Sequence, residues 1–147
     1  MIATNRPQGS VQQKRSGGRY QKWFRAVVWA GILINLSFAV PAVFAPAWLL
    51  ARVNLPPTDQ TIWLRDAGML LFFLSAMYVP VAQDPVRYSF NAVVAVVARL
   101  AFAVFWLGPV LLADAPAAYL LYGFADLAVG LVQGILLNLL RREARLT

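Results

Sequence analysis

Apolar residues in this chain come in long blocks, and the polar positions inside those blocks are few and widely spaced. The first block opens at Trp23 to Arg25 and runs through AVVWAGILINLSFAVPAVF to about residue 45. The second, TIWLRDAGMLLFFLSAMYVPVA, covers about 59–81, the third about 89–112, and the fourth, with YLLYGFADLAVGLVQGILLNLL, about 117–140. Each reaches the roughly 20 residues that a helix rising about 1.5 Å per residue needs to cross ~30 Å of hydrocarbon. The pattern predicts an all-α fold, a four-helix antiparallel transmembrane bundle over residues 22–141 with left-handed packing favoured. A basic, flexible N-terminal tail over 1–21 and a short basic C-terminal tail over 142–147 flank it.

The connections carry their own signals. Pro46 stands where a new helix can start, so APAWLLARVNL reads as a short interfacial turn with Trp48 on its lipid side. LPPTDQ stops helical continuation, and Thr58 or Asp59 can cap the second segment, which ends near Pro80. Asp84 before Pro85 marks a turn, and ADAPA is short enough only for a tight antiparallel connection. The apolar run after the basic start is too long, and too interrupted by Asn35 and prolines, for a cleaved signal segment.

Composition strengthens the membrane reading and narrows the chemistry. Of 147 residues, 61% are hydrophobic and 13% charged, with a mean hydropathy of +0.64. Cysteine and histidine are both absent. Without them there is no disulfide, thiolate nucleophile or histidine triad, and the usual protein ligands of zinc, copper and haem iron are missing. No catalytic residue, intrinsic cofactor or metal site is expected.

The net charge of +7 does not point to nucleic acid, because the basic residues gather at segment ends. Arg6, Lys14, Arg15, Arg19, Lys22 and Arg25 precede or open the first segment, Arg87 lies in the second loop, and Arg141, Arg142 and Arg145 close the last. Arg52 and Arg65 alone lie on the other side. By the positive-inside rule both termini are expected to be cytoplasmic and the chain a multi-pass protein of the inner (plasma) membrane, the bacterial inner membrane if the source is bacterial. Lys14, Arg15, Arg19, Lys22 and Arg25 are candidates for contact with anionic headgroups or a partner.

One basic residue breaks that pattern. Arg99 interrupts NAVVAVVARLAFAVFWLG near its centre, at a depth of roughly 15 Å if Ser89 marks the membrane entry. The same arithmetic puts Asp126 at ~18 Å, Asn35 at roughly 13 Å and Asp66 at about 20 Å. All four segments therefore offer a polar residue to the central third. An isolated guanidinium at this depth costs about 2.5–3.5 kcal/mol, so Arg99 should face the bundle and be paired. Asp126 is the first-choice partner and Asp66 the second, since the planar fork can serve two carboxylates. One arginine between two aspartates would leave a surplus negative charge, which favours a shared proton or a bound cation. The alternative is a purely structural lock that fixes helix register.

Arg99 shares its helical face with Ala92, Ala95, Phe102 and Trp106, and Asp126 shares its own with Gly130, Gln133 and Gly134. Gly130 and Gly134 have GxxxG spacing, with packing inside the bundle favoured over joining another subunit. Gln133, Tyr122 and Trp106 are candidate ligand-lining residues.

This plan, with "LRDAG" and "VVARLAF" inside the crossings, resembles small bacterial DoxX-like membrane proteins and their uncharacterised relatives over residues 23–140. The resemblance is one of architecture and implies an accessory role near a membrane redox system, since that family includes subunits associated with quinone-linked sulfur oxidation. It transfers no catalytic residue.

Three functional expectations follow. The first is a small non-catalytic accessory or scaffold subunit of a larger membrane complex, such as a respiratory or other redox complex, with other membrane subunits and lipids as partners. The second is a small transporter or proton relay built on the Asp/Arg cluster. The third is a membrane subunit that binds a quinone or lipid.

Overall fold

An apolar segment in lipid has no water to satisfy its backbone, so each must close its own hydrogen bonds as a helix. A computed structural model describes residues 18–113 and 115–146. Among them the elements are α1 (Arg19–Phe44), α2 (Pro46–Arg52), α3 (Ile62–Gln83), α4 (Ser89–Leu112) and α5 (Ala118–Leu146). α1, α3, α4 and α5 are each long and apolar enough to span a membrane, and the chain is a multi-pass membrane protein. Lys14 and Arg15 lie outside the described residues.

Several boundaries differ from the sequence expectation. α1 already includes Arg19, Tyr20 and Gln21, and α5 continues through RREARL, where the expected tails would be. Arginine, glutamine, glutamate and leucine are good helix formers, and no proline or glycine follows Leu140 to end α5. Neither Thr58 nor Asp59 caps α3, whose N-cap is Thr61 without a side-chain bond. The Thr58 hydroxyl instead accepts from the Gln60 N–H at 3.2 Å, folding the loop locally before the helix starts.

Three of the spanning helices stop in the same way. Pro41, Pro80 and Pro109 lie inside α1, α3 and α4, one turn before the end. Each proline carbonyl accepts the final N–H, from Ala45 at 2.8 Å, Asp84 at 2.9 Å and Ala113 at 2.9 Å. A proline also removes the donor for the carbonyl four residues earlier, weakening the terminal turn. α2 ends differently. Asn54 takes a left-handed φ of 54°, Asn54 N–H donates to Ala51 and Leu55 N–H to Leu50, a Schellman closure ahead of Pro56. In the loop before α4, Asp84 Oδ1 accepts from the Val86 and Arg87 amides at 3.2 and 3.0 Å.

α1 packs extensively against α3, and α4 against α5, while α1 also meets α5 and α3 touches α4 only sparingly. Small residues govern the two main seams. On α3 the buried positions include Gly68, Ser75 and Ala82, spaced by seven, and a Cβ at Gly68 would stand 2.9 Å from the Ala42 Cβ and 3.0 Å from the Ala39 carbonyl. On α4 the buried stripe is Ala92, Ala95, Arg99 and Ala103.

The bundle is not packed evenly along its length. Phe24, Val28, Ile32, Tyr78, Val81, Ala82, Ala92, Ala95, Leu137 and Leu140 form one continuous core. All of them lie toward the end that carries Arg19, Lys22, Arg25, Arg87, Arg141 and Arg142, here the basic end. There the Arg25 Nε–H donates to the Ala82 carbonyl at 2.8 Å, tying the start of α1 to the last turn of α3. The other half of the bundle is hollow.

Candidate functional site

The hollow is a cavity of about 330 Å³ bordered by all five helices. That volume lies at the lower end of the ~300–1,000 Å³ typical of small-molecule sites. Its walls are mostly apolar, with Phe38 of α1, Leu49 of α2, Leu71 and Leu74 of α3, and Phe102 of α4 among them. The cavity is partly open rather than sealed, and Phe102 and Leu70, which both border it, are exposed.

Its inner end is polar. Arg99 and Asp126 meet there in a salt bridge, Nη1 to Oδ1 at 2.5 Å. The guanidinium's Nη2 donates to the Gly31 carbonyl at 2.8 Å, so one side chain joins α4 to both α5 and α1. Arg99 is buried, whereas the Asp126 side chain keeps 15% of its surface open toward the cavity it lines. Asn35, buried one turn beyond Gly31, borders the same space. Tyr78 brings a phenol from α3 to this inner end. It is 4% exposed, close enough to feel the charges of both Arg99 and Asp126, and its buried hydroxyl has no hydrogen-bond partner among the described residues.

Near the opposite end the walls turn aromatic. Trp106 stacks at a tilt against Tyr119 and Tyr122, with centroids 5.2 and 5.6 Å apart, and Phe38 meets Tyr122 edge-on at 5.6 Å. Trp23, Trp29, Trp48 and Trp63 are exposed on the outer faces, leaving Trp106 as the tryptophan that lines the cavity.

The structure therefore brings Arg99, Asp126 and Asn35 together and adds Trp106 and Tyr122 to the same space. Asp66 is not among them. It is exposed and does not line the cavity. The reason is rotational: Gly68 is the α3 position held against α1, and Asp66, two residues earlier, points about 200° away from it. With Asp66 on the outside, the inner cluster holds one guanidinium and one carboxylate. The surplus negative charge that would favour a shared proton or cation is gone.

Gln133 is buried but lies outside the cavity, its Oε1 without a partner and its amide nitrogen 3.6 Å from where a Gly31 Cβ would be. Gly130 and Gly134 face α4. A Cβ at Gly130 would come within 3.0 Å of the Arg99 Cβ, while one at Gly134 would meet Val96 at 3.4 Å, ordinary contact. Arg19 and Lys22 are exposed at the basic end, and Arg25 spends its Nε on α3. Gly31 and Tyr78 were not singled out by sequence reasoning. A glycine at the depth of a buried arginine is a usable signal, whereas Tyr78 lies close enough to a helix end to pass for an interfacial aromatic.

No family model matches the chain, and neither a curated protein nor a solved structure matches it. None of these comparisons supports the likeness to DoxX-like proteins.

Proposed function

We propose that this protein is a non-catalytic membrane subunit that holds one lipophilic small molecule, a quinone-like or lipid-derived compound, in the cavity between its spanning helices. The observation that carries this reading is an apolar, aromatic-walled hollow that ends on a buried polar cluster and is partly open. Such a space suits a molecule with a hydrocarbon body and a polar head, because the walls reward the body and the inner cluster orients the head. Histidine and cysteine are absent and Asp126, a carboxylate bordering the cavity, is held by Arg99, so binding and presentation to a partner membrane subunit fit better than turnover. The basic end faces the cytoplasm and rests on anionic headgroups through Arg19, Lys22, Arg141 and Arg142.

Mass spectrometry of protein released gently from its native membrane tests this. The wild type is expected to carry a lipophilic molecule at about one per chain, and Ala125→Trp, which fills the cavity from α5, should lose it while keeping its helix content. Equal occupancy in the two proteins, or no bound molecule in the wild type, would remove the basis for the reading.

A further inference from the structure

Resting on that reading of the cavity, we propose that the head of the bound molecule is uncharged and presents an acceptor oxygen, such as a carbonyl, to the Tyr78 hydroxyl beside the Arg99–Asp126 pair.

Three observations converge on this. First, Tyr78 borders the cavity, and its buried hydroxyl has no partner among the described residues. Buried hydroxyls in folded proteins are nearly always hydrogen-bonded, so an unpaired one on a residue that borders a cavity marks the place of a missing partner. Second, the charges at the inner end balance. Arg99 is matched by Asp126, and Asp66, the other acid expected at this depth, is on the outer face. A charged head would be desolvated next to a pair that already neutralises itself, whereas a neutral dipole brings no uncompensated charge. Third, the two Nη groups of the guanidinium are already committed. Nη1 is on Asp126 and Nη2 on Gly31, so the buried donors left without a partner beside the cavity among the described residues are the Arg99 Nε–H and the Tyr78 hydroxyl, and both call for an acceptor oxygen. A phenolic O–H is a directional donor, and Asn35 on the facing helix limits how the head can turn.

The same geometry distinguishes recognition from packing. If Tyr78 serves only as core, losing an unsatisfied hydroxyl by Tyr78→Phe leaves stability unchanged or raises it and alters nothing else. If it recognises the head, the same variant loses affinity for molecules with an acceptor oxygen and keeps its affinity for those without.

The test uses three probes with one ring and one tail: decylbenzene, 4-decylacetophenone and 4-decylbenzoate, titrated against the full chain in detergent and followed by tryptophan fluorescence. Wild type should bind the ketone roughly five- to tenfold more tightly than the hydrocarbon, with the carboxylate weakest. Tyr78→Phe should bring the ketone down to the hydrocarbon's affinity and leave decylbenzene unchanged, which also shows that the cavity is intact. Equal ketone affinity in wild type and Tyr78→Phe, or carboxylate binding tighter than ketone, overturns the assignment of the head while leaving the cavity reading in place. Failure of all three probes to bind the wild type overturns the cavity reading as well.

Discussion

Asp126→Leu is expected to be the most damaging single substitution in the bundle, lowering stability by about 3–5 kcal/mol. It leaves the Arg99 guanidinium buried at mid-bilayer with only the Gly31 carbonyl for company. Arg99→Leu should cost less, because the Asp126 carboxylate it leaves behind is partly open to the cavity it borders, whereas the guanidinium is buried. The double variant should recover most of the loss, since leucines suit a lipid-embedded core and no charge is left unpaired. Unfolding in SDS mixtures, followed by circular dichroism, orders the three variants. A double variant as unstable as Asp126→Leu would mean that the charge pair is not what Asp126 contributes.

The second large effect is expected at Gly68. Because two methyl groups and a backbone carbonyl of α1 would stand 2.9–3.0 Å from an added Cβ, inside van der Waals contact, a side chain has nowhere to go without prying α1 from α3. Gly68→Val should therefore cost at least about 1–3 kcal/mol, the usual penalty for overpacking a seam. Gly108→Val is the matched control, as nothing lies within 4 Å of the position its Cβ would take. In the same SDS titration the first variant should unfold early and the second close to wild type. If both behave alike, the α1–α3 seam does not depend on the close approach at Gly68.

Depth was easier to read from the sequence than direction. The rise per residue of a helix is nearly constant, so counting from segment ends placed Arg99 beside Asp126, and the third segment's expected limits coincide with α4. Rotation about the helix axis is set by which residues let a neighbour come close, and that information is spread thinly. For α3 it resides in the Gly68, Ser75 and Ala82 spacing, a weaker mark to the eye than the charge of Asp66. The charge drew the reading inward, yet the small residues decide the face. Tail and cap boundaries were missed for another reason: RREARL and the residues around Arg19 are neither apolar nor helix-breaking, so a hydrophobic pattern alone cannot say whether the helix continues. The cavity itself has no sequence signal. It depends on how five helices are set around one space, a property of the whole bundle.

The uneven filling of the bundle has a consequence for what the protein can sense. The hollow stops on a salt bridge above a solid core, so under the proposed binding role a molecule enters it from the half of the bundle away from the basic end. On the proposed function, molecules that differ in abundance between the monolayers are expected to be sampled from one side alone, with occupancy of the cavity following that monolayer's composition.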